Sequence, residues 1–366
     1  MPSLSDTIMR LSALSNLSGG APFSASADRL TDIIGFGSNP GALRARIYLP
    51  PGLAIGAPLV VVLHGCTQTA AGYDAGSGWS RLADRHGFAL LFPEQTRANN
   101  PNLCFNWFQP EDMTRGAGEA LSIAQMVDAM VDRHALDPAR VFVTGLSAGG
   151  AMTSVMLATY PDLFAGGAII AGLPYGSATS MPQAFDRMRG HGGPQGAALA
   201  RLVRDASDYK GPWPTISVWH GSGDYTVSCA NADAIVAQWL PLHGLDREPT
   251  WREMIDGYPH LVWCSPSGRP LIEEYEITGL AHGTPLATGG GDAVGEAGPH
   301  MLEAGISSTR HIAAFWGLTD AFAGEAARPA VAPAFESAAP THATAAHATG
   351  VGKVIENALR AAGLMR

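Results

Sequence analysis

Long hydrophobic runs are missing from this sequence. The longest wholly apolar stretch, residues 57–63, is far too short to cross a bilayer as a helix, which excludes a transmembrane anchor. Basic charge is also scarce: 23 lysines and arginines stand against 32 aspartates and glutamates, for a formal net charge of -9. No basic run offsets that balance, so nucleic acid is not an expected partner. The first 25 residues carry only Arg10 as a base and are broken by serines, so they lack the apolar core of a secretory signal. On that ground alone the expected location is the cytoplasm. Cysteine is limited to Cys66, Cys104, Cys229 and Cys264, whose spacings match no zinc site, and no metal is expected. An even count permits two disulfides; buried reduced thiols explain four cysteines equally well.

What the chain does have is apolar mass, 46% of 366 residues, enough for one large core. Short apolar runs alternate with helix-periodic segments. Residues 43–49 alternate like an outer strand with one wet face, whereas 58–63 are continuously apolar, like a strand buried on both faces of a parallel sheet. Residues 69–86, 118–134, 151–160, 231–242 and 306–316 have helical periodicity, and further strands are expected at 88–92, 166–171, 215–219 and 271–278. The glutamates of the last strand suggest an exposed face near a sheet edge. The alternation predicts an α/β catalytic domain over residues 41–318, with helices on both faces of a mostly parallel sheet. Residues 173–213 break the pattern with glycines and prolines, as a small cap-like insertion does.

The flanks differ in composition. Residues 1–40 form an N-terminal segment in which Leu4, Ile8, Leu11 and Leu14 have amphipathic spacing, followed by a linker. Residues 319–350 are an Ala/Pro-rich stretch that reads as disordered linker, and 351–366 as an amphipathic helix with Val351, Val354, Ile355, Ala358, Leu359 and Ala362 on one face. That helix is expected either to fold back on its own domain or to dock on a polymer granule or other surface.

Chemistry concentrates at Gly145-Leu146-Ser147-Ala148-Gly149, a G-x-S-x-G set between a β-branched run and a helix. In that context the serine sits on a strained turn that exposes its hydroxyl. A serine hydroxyl is a weak nucleophile, so it needs a histidine base and an acid to orient that histidine. In α/β-hydrolase chain order, acid and base follow the serine, each on a loop leaving a later strand. Asp224 follows the strand at 215–219, and His282 follows the strand at 271–278. Asp205, Asp208, Asp246 and Asp256 do not follow a buried strand so closely, and they read as surface carboxylates. His220 is expected to order the acid turn, His64 to be structural, and His300 and His311 to lie beyond the last strand. The backbone amides of Ala148 and Cys66 are the expected oxyanion donors, Cys66 because its loop leaves an earlier central strand. The polar loop at 93–118 carries Cys104, Phe105, Trp107 and Phe108, aromatics that suit either a binding site or satellite packing.

Six segments, LHGCTQT (63–69), CFNWF (104–108), GLSAGG (145–150), GLPYG (172–176), HGSGDYTV (220–227) and GLAHGTPL (279–286), resemble those of the polyhydroxybutyrate depolymerase family of esterases. The resemblance implies an α/β-hydrolase fold and a cofactor-free serine esterase with Ser147, Asp224 and His282 as triad and the Cys66 and Ala148 amides as oxyanion hole. It further implies Trp107 and Tyr175 at the substrate cleft, and bridges Cys66–Cys104 and Cys229–Cys264. Members of that family act on short-chain polyhydroxyalkanoates, on feruloyl or acetyl esters of plant cell walls, or on small esters. Many are extracellular and some carry a separate polymer-binding domain, neither of which the flanks of this sequence suggest. A non-catalytic particle-surface protein is the remaining alternative, against which the intact serine, acid and histidine weigh.

Overall fold

The computed structural model describes residues 28–319. The amphipathic segment expected near residues 1–17, the linker expected at 319–350 beyond its first residue, and the helix expected at 351–366 lie outside the described residues. The fold grows from β3 (Leu59–Leu63), five apolar residues none more than 1% exposed. Leu59, Val61 and Leu63 enter one apolar cluster, and Val60 and Val62 enter another. That period of two across two cores marks a strand with helices packed on both faces.

The ten-stranded sheet runs β1-β2-β4-β3-β5-β6-β7-β10-β9-β8. Its parallel centre consists of β4 (Ala89–Glu94), β3, β5 (Val141–Leu146), β6 (Gly166–Ile170), β7 (Thr215–Gly221) and β10 (Pro270–Ile277). Antiparallel pairs close both edges: β1 (Thr31–Ile33) with β2 (Arg44–Tyr48), and β8 (Trp251–Ile255) with β9 (Tyr258–Cys264). One core lies under α3 (Gly118–His134), α4 (Ala148–Thr159) and α7 (Ala230–His243). The other lies under α1 (Ala70–Ser77), α2 (Trp79–His86) and α8 (Ser308–Phe315), where Trp316 stacks on Phe142 and Trp79. The insertion at 173–213 holds α5 (Met181–Met188) and α6 (Ala197–Asp205), and α6 packs on α7 through buried Leu199, Ala200 and Val203. A small parallel ribbon, β11 (Thr284–Leu286) with β12 (Met301–Glu303), follows the main sheet.

This is the α/β arrangement expected from the sequence, with three differences. The sheet begins at Thr31, upstream of residue 41, because β1 adds to β2. β10 is not near an edge: β9 and β8 lie outside it, and Glu273 is buried, accepting from Ser217 Oγ at 2.7 Å with His260 Nε2 at 3.1 Å. The polar residue on that strand therefore marks a buried network. Finally, Cys66 and Cys104 are bridged, but Cys229 and Cys264 are free thiols. Cys264 pairs with Pro270 at the start of β10, hence at the amino edge of the parallel strands. Cys229 precedes α7, beyond the carboxyl end of β7. The seven-residue length of β7 separates those two edges, which forbids a bridge.

Candidate active site

Three loops leave the carboxyl ends of β5, β7 and β10 and meet at Ser147. The serine has φ 58° and ψ -116°, a strained conformation for a residue with a Cβ, and its N–H is held by Ile170 O at 2.9 Å. Strand and helix converge so tightly here that a Cβ on Gly149 would meet Leu63 O at 2.3 Å. The small residues around the serine are thus required by backbone contact. A similar constraint joins the other two loops, since a Cβ on Gly221 would lie 2.2 Å from Leu280 O.

His282 Nε2 lies 2.9 Å from Ser147 Oγ, and His282 Nδ1 lies 2.7 Å from Asp224 Oδ2. A carboxylate can only accept, so Nδ1 carries the proton and Nε2 is left to accept from the serine hydroxyl. Asp224 is buried, and its Oδ1 accepts from the Thr226 and Val227 amides at 2.8 and 2.9 Å. Burial alone would raise its pKa, but hydrogen bonds from His220 and His282, the charge of His282 and the Val227 amide outweigh that and hold it well below the usual carboxylate range. His220 Nε2 is 2.8 Å from Val227 O and 3.5 Å from Asp224 Oδ2, so this histidine orders the acid turn, as its position in the sequence suggests. The geometry suits proton transfer from serine to histidine, with a charge-stabilising acid behind.

On the opposite side, Cys66 leaves β3 and is tied to Cys104. His64 accepts from the Gln95 amide at Nε2 (3.1 Å), so its Nδ1 carries the proton and donates to Gly65 O (2.8 Å). Burial pushes the pKa of His64 down and keeps it neutral. The Gln68 amide also donates to Gly65 O, at 3.3 Å. Two donors on that carbonyl fix the Gly65–Cys66 peptide and turn the Cys66 N–H the other way. Ala148 opens α4, where first-turn amides have no helical acceptor.

The Cys104 loop rests on a group the sequence reading missed. Glu119, wholly buried on α3, accepts from Gln95 Nε2 (2.6 Å), the Asn106 amide (2.8 Å) and Asn99 Nδ2 (3.1 Å). Burial and the nearby Asp112 push its pKa up to about 8, against the pull of those donors. A glutamate at the start of an apolar helix looks like ordinary capping charge, so only the fold shows its loop partners. Trp107, expected at the cleft, is buried edge-to-face on Phe108 and belongs to the same apolar cluster as Ala148. Tyr175 is partly buried, and both its N–H and C=O are held by the Gln238 side chain at 2.9 Å. His300, passed over in the sequence, lies against His282. Asp256, a competitor for the acid, instead faces His311 at 3.1 Å. Among the described residues no group of histidines, cysteines and carboxylates forms a metal site.

Comparison with known proteins identifies the family. A family model described as esterase PHB depolymerase matches residues 43–253. The chain is 51% identical over 297 residues to poly(3-hydroxyalkanoate) depolymerase C of Paucimonas lemoignei, covering 81% of this chain and 72% of that one. It is 31% identical to feruloyl esterase B of Talaromyces funiculosus, covering 71% of this chain and 74% of the relative. Among solved structures, acetyl xylan esterase from Aspergillus awamori superposes with a TM-score of 0.67 at 26% identity, over 79% of this chain and 99% of the other. With the family match spanning the loops that carry Cys66, Ser147 and Asp224, the chain belongs to the esterase PHB depolymerase family and is a carboxylic ester hydrolase of the α/β-hydrolase fold.

Proposed function

We propose that the protein hydrolyses short-chain polyhydroxyalkanoate, poly-3-hydroxybutyrate or its oligomers, through an acyl-enzyme on Ser147. His282 Nε2 takes the serine proton as Oγ attacks the ester carbonyl. The oxyanion is received by the Cys66 and Ala148 amides. The imidazolium, stabilised by Asp224, then gives its proton to the departing hydroxyl end of the polymer. Water, activated by the same nitrogen, releases the 3-hydroxyacid and restores Ser147. Trp107 and Tyr175 shape the acyl side of the cleft. No metal or cofactor enters this scheme.

The observation that carries the chemistry is the pair of contacts through His282, 2.9 Å to Ser147 and 2.7 Å to Asp224. The substrate class is supported by the 51% identity to a chain named as a poly(3-hydroxyalkanoate) depolymerase. A second reading, a feruloyl or acetyl esterase of cell-wall polysaccharide, is favoured by relatives of those names at 31% and 33% identity. The two readings share a mechanism and differ in the acyl group.

The test compares 3-hydroxybutyrate oligomers with methyl ferulate and acetylated xylan, using wild type and Ser147→Ala. We expect the oligomers to be the preferred substrate, and the variant to lose turnover by about a millionfold. Preference for ferulate or acetylxylan would move the assignment to the second reading. A Ser147→Ala variant with wild-type turnover would overturn both.

A further inference from the structure

We propose that His300 is a positioning residue for the base: it fixes the backbone of His282 and buttresses its ring. The inference rests on the serine-esterase reading above and extends it to a residue outside the triad.

His282 sits on the loop after β10, next to Gly283, and two hydrogen bonds from His300 bracket that point. The His300 Nδ1–H donates to His282 O at 3.0 Å, and His300 O accepts from the Thr284 amide at 2.8 Å. Residues 282 and 284 are thus held by the ring and the carbonyl of one residue. Gly283 allows the close approach, because a Cβ there would stand 2.8 Å from His300 O. The His300 ring also stands edge-on to the His282 ring, with centroids 5.7 Å apart and planes at 77°.

The support continues behind His300. The ribbon register begins at Thr284 opposite Met301, directly after the two histidines, and the Met301 side chain packs on Gly76 of α1. The segment leading to His300 is tied to α1 and α2 by Glu296 N to Gly76 O (2.9 Å), by Arg81 to Val294 O (3.1 Å) and by Arg85 to Asp292 O (3.0 Å). A chain so anchored makes His300 a fixed point rather than a mobile surface group. Its backbone has φ 60°, a left-handed conformation that costs energy for a histidine. The strained backbone aims the ring at His282. That backbone belongs to the tight turn closed between Gly298 and Met301, where Met301 N donates to Gly298 O at 2.9 Å, so the turn fixes the direction in which the ring leaves the chain.

An imidazole that must accept a proton from Ser147 and pass it to a leaving alcohol needs its Nε2 placed to a fraction of an ångström. Asp224 fixes the ring at Nδ1 only. Rotation about that single bond is opposed by the His300 ring, and displacement of the main chain is opposed by the His300 hydrogen bonds.

The test uses His300→Ala and His300→Asn in the full chain, assayed on a soluble nitrophenyl ester with Ser147→Ala alongside. Alanine keeps the Cβ and backbone cost while removing the donor and ring. Asparagine places an amide N–H where Nδ1–H stood and tolerates the left-handed backbone well. We expect His300→Ala to lower kcat on the order of tenfold, the worth of one directed hydrogen bond, with KM and thermal midpoint nearly unchanged. His300→Asn should recover the share of kcat carried by the hydrogen bond to His282 O, and the low-field proton resonance of the His282–Asp224 bond should broaden most in the alanine variant. Unchanged kcat in His300→Ala would overturn the proposal. So would a joint fall of kcat and thermal midpoint that asparagine does not relieve, since that marks a folding role. Should Ser147→Ala itself keep full turnover, the serine-esterase reading falls first and this inference with it.

Discussion

The two sides of Ser147 are built by different means. On the side of the proposed oxyanion hole, the loop after β3 is covalently tied by Cys66–Cys104, and its partner loop rests on buried Glu119 and Gln95. On the side of Asp224 and His282, the loops after β7 and β10 carry no disulfide and are held by close backbone contact and by hydrogen bonds, those of Asp224, His220 and His300 among them. The difference follows from their tasks. Oxyanion donors must stand still, so a crosslink suits them. The base must gain and lose a proton every turnover, and a hydrogen-bonded frame can follow that change of charge. The oxyanion side should therefore answer to reductant and the other side to the identity of single polar atoms.

The largest expected effect lies on the hydrogen-bonded side. Asp224→Asn keeps the shape of the acid but offers an N–H to His282 Nδ1, which selects the wrong tautomer. Turnover should fall about ten-thousandfold with the fold intact, read from kcat together with circular dichroism. A fall of less than tenfold would mean that the acid does not set the tautomer.

Next comes the clamp. The bridge spans 38 residues, a loop for which closure entropy gives roughly 3–4 kcal/mol of stability. Cys104→Ser should lose about that much in urea unfolding and lower kcat about a hundredfold through a loosened Cys66 amide. The same bond arrangement predicts two reactive thiols, Cys229 and Cys264, in the unfolded, unreduced wild type. Four thiols, or none, would contradict it.

The smallest effect on turnover comes with a pH slope in stability. The buried Glu119 titrates at about 8, against 4.5 for a free glutamate, so the folded state retains a proton that the unfolded chain has released. Below pH 4.5 both states hold the proton and nothing is lost. As pH rises from about 4.5 to about 8 stability declines, and above that the deficit is constant. Glu119→Gln should flatten that segment of the stability profile, even if its midpoint is lower for want of a carboxylate oxygen. Parallel profiles for the two proteins would show that Glu119 stays ionised.

The grouping of Ser147, Asp224 and His282 was legible because each follows a strand in the chain order an α/β-hydrolase would use. Ser147 sits in a pattern of small residues that backbone contact makes necessary, and Asp224 and His282 each follow the end of a strand, β7 and β10. What escaped the sequence reading lay where a residue's role depends on distant partners. Glu119 shares its helix with an apolar stripe and reveals its purpose only when Asn106 and Gln95 fold over it. His300 is eighteen positions from His282 and becomes its neighbour only through the β11–β12 ribbon. The Cys229–Cys264 pairing failed because an even count says nothing about which edge of a sheet each thiol occupies. The β8–β9 hairpin did carry a local signal, Asp256-Gly257, both at positive φ in the turn. Of the glutamates of β10, Glu276 is exposed as expected, but Glu273 misled, since Ser217 and His260 satisfy it in the interior.

The central claim, that Ser147 is the nucleophile of a hydrogen-bonded charge system facing a clamped oxyanion hole, is tested most directly by catching the acyl-enzyme. Wild type would be mixed with a nitrophenyl 3-hydroxybutyrate ester, quenched within milliseconds in acid and mapped by mass spectrometry. The account predicts one hydroxybutyryl group, on the peptide bearing Ser147, appearing with a burst of one nitrophenolate per chain and absent from Ser147→Ala. Turnover with no covalent adduct, or an adduct on any other residue, would contradict it.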